Sequence, residues 1–271
     1  MESPVKYIKG IFITVRSAST RLPKKCYEII NGLHAIEHVI ERAKRSQRAN
    51  SIVLCTTEAF NDRKLCRLAA NNGIFFYQGS TDDKLERWNH AARNFCVDFF
   101  VTFDGDDLLC DPELADMAFD QYERTGADFI ESTKVPTGAF TYGIKVSALR
   151  EVCNIKYSED TEMIIPFFKS GKFKVEELEV PEIFHRNIRM TLDYPEDLAF
   201  FKKIFTAFGK VRFSLRDVLA WIDRHPEVLK INAGCQEKYL ENQQRIMKAT
   251  DYESNKIPWE RIRVSQDGTQ L

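Results

Sequence analysis

The sequence predicts an α/β fold, a three-layer and mostly parallel sheet with a small excursion in its middle. Short apolar runs alternate with stretches of helical period through the first half of the chain, which is the rhythm of parallel strands joined by crossover helices. The densest clusters of charge, at 15–25 and 104–107, directly follow two of those runs, and open parallel sheets bind ligands at the carboxyl ends of their strands. At 271 residues with 44% hydrophobic content, the chain can bury one substantial core.

The apolar runs place strands at 7–15, 51–55, 74–77 and 98–103, with helices near 34–46, 60–72, 83–96 and 112–125 between and after them. Asp111 and Pro112 read as the cap and first turn of the last of these helices. From about 128 to 190 the character changes. Strand-like runs at 128–132, 142–146 and 172–178 flank a helical stretch near 158–169, a layout expected of an excursion that shapes an acceptor pocket or a subunit contact. Helices then open at Asp193-Tyr194-Pro195-Glu196-Asp197, near 214–224, and, strongly charged, at 233–249. Residues 1–240 are therefore expected to form the domain, with 241–271 as the end of the last helix and a tail.

Composition excludes several classes of partner. Net charge is −1, from 39 basic and 40 acidic residues spread along the chain, so there is no footprint for nucleic acid. No apolar run reaches the roughly 18 residues of a membrane span, and the start Met-Glu-Ser-Pro-Val-Lys has no signal-peptide core. A soluble cytoplasmic protein is expected. The seven cysteines are odd in number, scattered and never C-x-x-C, which reads as buried reduced thiols. His34 and His38 lie four apart around Glu37 but lack the H-E-x-x-H order, and are expected on a surface helix face.

Residues 15–25, Val-Arg-Ser-Ala-Ser-Thr-Arg-Leu-Pro-Lys-Lys, pack four cations and three hydroxyls behind the run Ile11-Phe12-Ile13-Thr14-Val15. Such a loop offers backbone N–H groups, hydroxyls and fixed positive charge to one small volume, as a polyphosphate requires. It carries neither the P-loop nor the dinucleotide glycine pattern.

A second cluster, Asp104-Gly105-Asp106-Asp107, puts three carboxylates within four residues. They repel one another unless solvated or holding a cation, and oxygen ligands suit Mg²⁺ or Mn²⁺. A third acid, Asp193, stands where a strand meets a helix, placed either to cap that helix or to face a cation.

The loop resembles the N-terminal signature A-R-x-x-S-x-R-L-P-x-K of the cytidylyltransferases that make CMP-activated acidic sugars, with Arg16, Ser19, Arg21, Leu22, Pro23 and Lys25 in register. Asp193-Tyr194-Pro195-Glu196-Asp197-Leu198 matches their D-x-P-E-D-L segment. Gly79-Ser80-Thr81-Asp82-Asp83-Lys84-Leu85-Glu86-Arg87-Trp88 is similar to the G-S-x-D-D-x-L-x-R-Y segment of the branch named after a spore-coat polysaccharide protein. So are Phe213-Ser214-Leu215-Arg216-Asp217-Val218, His225-Pro226-Glu227-Val228 and Ile231-Asn232-Ala233 to that branch's C-terminal region.

The resemblance covers roughly residues 8–235. It implies a Rossmann-like nucleotide-binding sheet related to the GT-A glycosyltransferases, commonly dimeric through the middle excursion, and transfer of CMP from CTP to an acidic sugar or related acidic acceptor. It also implies Mg²⁺, or Mn²⁺, on Asp106 and Asp193, with Arg16, Lys25 and Asp106 catalytic. Nucleotide contacts fall to Arg16, Ser17, Ala18, Ser19, Arg21, Lys25, Thr56, Gly79, Ser80 and Asp104, and acceptor contacts to Tyr142, Glu162, His185 and Arg186. Arg87, on an amphipathic helix, is read as a solvated face.

Two departures stand out. Asp107-Leu108 replaces the Glu-Pro of the Kdo-activating members, and Ser158-Glu159-Asp160-Thr161 replaces the E-H-V-T toward which the spore-coat branch tends. The acceptor stays open. A second reading takes Asp104-Gly105-Asp106 as the D-x-D of a metal-dependent glycosyltransferase using a nucleotide sugar, which leaves the Arg16–Lys25 loop without a task.

Overall fold

A computed structural model describes residues 7–156, 161, 163–209 and 212–249. Its centre is a seven-stranded sheet built from β1 (Lys9–Thr14), β4 (Ser51–Thr57), β5 (Phe75–Gly79), β6 (Phe99–Asp104), β7 (Phe129–Glu131), β8 (Tyr142–Lys145) and β9 (Val175–Glu177). A two-residue pairing of β2 (Ile29–Ile30) with β3 (Leu33–His34) stands apart from it. Across the large sheet the order is β5-β4-β1-β6-β8-β7-β9. All neighbours run parallel except β8, which lies antiparallel between β6 and β7.

The helices are α1 (Ala35–Ala43), α2 (Arg63–Asn71), α3 (Lys84–Asn94), α4 (Pro112–Thr125), α5 (Val146–Ile155), α6 (Ile165–Phe168), α7 (Pro195–Phe208), α8 (Leu215–Arg224) and α9 (Cys235–Ala249). Alternation along the central strands feeds two cores. Ile11 and Ile13 join the core under α1, α2, α4, α7 and α8, whereas Phe12 joins the one under α3 and α5. Phe12 stacks on Phe100 at 4.3 Å within that second core, and burying a side chain of this kind is worth about 1.5–3 kcal/mol. Helices thus cover both sheet faces, the three-layer arrangement expected.

From β1 the chain winds outward to β4 and β5, then returns to place β6 on the other side of β1. The winding direction reverses between β1 and β6, so a crevice opens beyond their carboxyl ends. Both charged loops emerge there.

The middle of the chain differs from its expected form. Its three strands extend the main sheet, and α5 follows β8 directly, tied by the Val146 N–H to the Asp98 carbonyl at 2.9 Å. Val146, Ala148, Leu149 and Val152 are buried at helical spacing on α5, but Val146 also continues the β pattern of the preceding run and hid the helix start. Of the helix expected near 158–169, the structure shows α6 alone, with 157–160 and 162 outside the described residues.

Among the cysteines, all free, Cys26, Cys55, Cys66, Cys110 and Cys235 are buried, Cys153 is partly covered and Cys96 is exposed. No helix among the described residues is long and apolar enough to cross a membrane.

His38 is not on a surface face. It is buried, its Nε2 lies 2.8 Å from the Ile30 carbonyl, and its ring packs 4.1 Å from that of Phe205 on α7. His34 instead caps α1, paired with Glu37. Burial, with Arg42 and Arg45 nearby, lowers the His38 pKa below 6.5, against the Ile30 carbonyl and Glu37. The unfolded chain therefore binds more protons than the native one below that value, and stability is lost as the solution is acidified. His38→Gln is expected to flatten that decline between about pH 7 and 5 in urea melts, since a glutamine does not titrate. Parallel profiles for the two proteins would refute this.

Candidate active site

The cationic loop is held by a residue that the sequence did not mark. Past the end of β1, the Val15 N–H still reaches the Cys55 carbonyl at 3.2 Å. The Ser17 N–H then donates to Asp62 Oδ1 at 2.8 Å, and the Thr57 hydroxyl donates to the other oxygen. Asp62 is buried, which opposes its charge, yet the bonds from Ser17 and Thr57 outweigh that and hold its pKa below 3.8. A fixed anion under the loop locks its start. Lys24, at φ 57°, turns the chain into the 3₁₀ turn Lys25–Tyr27, and the Lys25 side chain reaches across to the acids.

Those acids come together from three segments. The Gly105 N–H donates to the Thr14 carbonyl at 2.8 Å, and the Leu192 N–H to the Asp106 carbonyl at 2.9 Å, so the loops after β1 and β6 are tied to the segment before α7, which forms one isolated bridge at Arg189 and not the strand expected there. Lys25 Nζ bonds to Asp106 Oδ2 and, at 2.8 Å, to Asp193 Oδ1. Arg21 reaches the same Asp193 oxygen at 2.6 Å, while Arg189 takes Oδ2 at 2.8 Å. Two carboxylates 87 positions apart thus share one ammonium nitrogen.

The cap of α7 is supplied by the neighbour of Asp193 and not by Asp193 itself. Asp197 Oδ2 accepts from the N–H groups of both Asp193 and Tyr194 at 3.0 Å, and Asn232 and Arg189 hold the remaining valences of Asp197. Asp197 therefore caps α7 and leaves the Asp193 carboxylate to face the loop. Asp111 caps α4, accepting from Glu113 and Leu114 as expected.

The electrostatics follow from burial and pairing. Burial opposes ionisation of Asp193, but Lys25 and Arg21 overcome it and hold the carboxyl well below the ordinary range. Burial likewise disfavours charge on Lys25, and Asp106 and Asp193 more than compensate, raising it. Asp104 is pushed up to about 6 by burial and by Asp106, against Lys84 and Lys25. Asp107 is likewise raised well above the ordinary range by burial and by its neighbours Asp106 and Asp104.

Tyr142, on β8, faces this group, its phenol raised by burial and by Asp104. Tyr239 of α9 stands near both Tyr142 and the acids. Burial and then Asp193, Asp106, Asp104 and Asp107 push its phenol up to about 12, and its ring lies 5.0 Å from the Arg189 guanidinium. The sequence offered no sign of Tyr239, which sits in a charged helix 97 residues after Tyr142.

The remaining expected residues fall around this centre. Arg16 and Ala18 are exposed and Ser17 and Ser19 partly covered on the loop. Thr56 and Thr57 are buried at the end of β4. Gly79 ends β5, and Ser80 holds the next turn, its hydroxyl accepting from the Asp83 N–H at 3.0 Å. Arg87 is not solvated, as the helix pattern implied. It is buried and turned inward, donating to the Ser80 carbonyl at 2.7 Å.

Glu162 lies outside the described residues. His185 is exposed, and Arg186 reaches Asp223 of α8 at 3.4 Å. Neither makes contact with the acids among the described residues, because both follow the turn Glu182–Phe184, which packs toward α8.

Could the centre hold a divalent cation? Its two carboxylates already close on one positive charge, and carboxylate oxygens are the donors such an ion takes. Among the described residues no group of three or more His, Cys, Asp or Glu is arranged for a metal, so an ion here would complete its shell with phosphate and water, as Mg²⁺ commonly does.

A family model described as cytidylyltransferase matches residues 11–246. The chain is 26% identical to an uncharacterised protein of Methanocaldococcus jannaschii over 230 residues, 83% of this chain and 95% of that one. It is 30% identical to a 3-deoxy-manno-octulosonate cytidylyltransferase of Pelobacter propionicus over 112 residues, 39% of this chain and 41% of that enzyme. The solved structure of a cytidylyltransferase from Leptospira borgpetersenii matches with a TM-score of 0.76 at 26% identity, covering 83% of this chain and 97% of that one.

Proposed function

This chain belongs to the cytidylyltransferase family, and from that premise we propose that it transfers CMP from CTP to an acidic sugar or related acidic metabolite and releases pyrophosphate. It would work in the cytoplasm as a homodimer, through a catalytic domain of residues 1–240 close to the spore-coat branch. The observation that carries the reading is the convergence of Asp106 and Asp193 on the Lys25 ammonium.

CTP brings about four negative charges, and an acceptor oxygen must approach the α-phosphorus against them. Arg16, Arg21 and Lys25 would take the β- and γ-phosphates, where charge gathers as the bond from the α-phosphorus to the bridging oxygen breaks. To do so Lys25 and Arg21 exchange carboxylate for phosphate, while Arg189 keeps its hold on Asp193 Oδ2. Asp106 and Asp193 Oδ1 are thereby released to hold Mg²⁺ or Mn²⁺. Bound there, the ion would act as a Lewis acid toward the α-phosphate and the acceptor oxygen.

Thr56, Gly79, Ser80 and the inward Arg87 would line the nucleoside side. Tyr142, joined by Tyr239, faces the acids on the acceptor side, with Glu162, His185 and Arg186 as the outer candidates. The D-x-D glycosyltransferase reading leaves Lys25 idle, whereas here it grips the second acid of that triplet. The test is pyrophosphate release from CTP across keto-acid sugars and phosphorylated or phosphonate acceptors. Turnover with CTP is expected, and a consistent preference for another nucleoside triphosphate would contradict the proposal.

A further inference from the structure

On the other side of the β6–α4 loop, between α1 and the start of α8, lies a cavity of about 310 Å³. Arg42, Arg45 and Arg212 line it. Arg42 is 2% exposed, and no described residue accepts from its Nη1 or Nη2. Its guanidinium rests against the Phe213 ring at 4.9 Å. Arg45 spends Nη1 on the Phe213 carbonyl at 3.0 Å, while its buried Nε has no described acceptor.

The acids around the cavity are already engaged. Asp111 accepts from the N–H groups of Glu113, Leu114 and Leu215, Glu113 is clasped by Arg216 through three bonds, and Asp217 caps α8 through Ser214. Hydrogen bonding leaves none of these acids free to accept from Arg42, so the cavity has a surplus of buried donors, while its three arginines face three carboxylates of which Arg216 neutralises one. Burial, with Arg45 adding to it, depresses the Arg42 guanidinium to about 10 despite Cys110 and Asp111, the mark of a cation without adequate compensation.

We propose that this cavity binds a small oxyanion carrying two or more negative charges, phosphate or pyrophosphate in the simplest case, on Arg42, Arg45 and Arg212. Planar guanidinium forks suit such oxygens, and the first N–H groups of α8 add to the same field. The site is separate from the acid centre. The loop that carries Asp106 at one end presents Asp111 to the cavity at the other.

The test is the melting temperature during titration with inorganic phosphate at constant ionic strength, in a Lys25→Ala background that weakens the loop's own grip on phosphate, so that the response lost on altering Arg42 or Arg45 reports the cavity. A saturable rise is expected there. Adding Arg42→Met, or Arg45→Gln at the rim, is expected to weaken the apparent affinity roughly 10-fold or more, since each removes charge-assisted bonds. Without phosphate, Arg42→Met is expected to melt at or above its parent.

An unchanged phosphate response in both variants, or none in the parent, would overturn the proposal. So would marked instability of phosphate-free Arg42→Met, which would mean that protein acceptors satisfy the guanidinium. On the unmutated protein, crystals soaked in selenate are expected to show an anomalous peak beside Arg42 Nη1 and Nη2, and its absence counts against the site.

Discussion

Asp106→Asn is expected to lower cytidylyl transfer on the order of 10²–10³-fold while leaving the fold close to its original stability. The side chain is 24% exposed and pairs with Lys25, so little packing depends on it. Asp193→Asn should damage activity as severely, but with a different signature. Its carboxylate is 2% exposed and answers Arg21, Lys25 and Arg189 at once. Removing that charge leaves buried cations uncompensated, at a cost of about 3–5 kcal/mol.

That cost depends on pH in a definite direction. Asp193 is held below its ordinary 3.8, so its contribution is present above that value and is lost as pH falls through the native one. Urea unfolding at neutral pH should therefore separate the two variants, with Asp193→Asn markedly weaker and Asp106→Asn near the parent. Equal loss of stability would mean that Asp193 is not the buried anchor of the cations, with Asp106 the more open of the pair.

Gly138→Ala is expected to destabilise the protein by about 3 kcal/mol or more and to disorder the same centre from behind. Gly138 has φ +89°, and a Cβ there would stand 2.2 Å from the Met190 carbonyl oxygen and 2.9 Å from Asp107 Oδ1. The obstruction is backbone, because the segments around Thr137 and Arg189 run side by side in a parallel bridge at this point, with the Met190 N–H on the Thr137 carbonyl at 2.8 Å. Relieving it requires moving the segment that delivers Asp193.

Gly126→Ala serves as the control. It has a similar φ of +68° but no atom within 4 Å of the added Cβ, so only the backbone penalty of about 1–2 kcal/mol applies. If both substitutions cost the same, the pairing of Thr137 with Arg189 and Met190 does not pin the site.

The contrast between what the residues announced and what they concealed has a physical basis. The inner strands were legible because they are covered on both faces and so run apolar without interruption, as Ile11-Phe12-Ile13 and Phe99-Phe100-Val101 do, and the edge strand β5 was legible from its aromatic run although Phe75 and Phe76 are exposed. The cationic loop and Asp106 were legible as charge set directly behind such runs.

What stayed hidden depends on contacts that helix and strand periods do not encode. Asp193 and Asp197 both stand at one helix start, and only the N–H groups of Asp193 and Tyr194, turned toward Asp197, assign the cap to it. Arg87 reads as solvated from its helix period, yet the Ser80 carbonyl gives it a buried acceptor. Asp62 looks like an ordinary helix-opening acid until Ser17 and Thr57 are seen to converge on it. Tyr239 belongs to a helix whose charge pattern says nothing of the face it turns to the acids.

Anomalous diffraction at the manganese edge, from crystals grown with CTP and Mn²⁺, reads the convergence of the two acids itself. One strong peak is expected, bonded to both Asp106 and Asp193 at about 2.0–2.2 Å, with the Lys25 ammonium moved from between them onto phosphate. A peak away from either acid, or Lys25 still bridging the pair with nucleotide bound, would contradict the proposed chemistry.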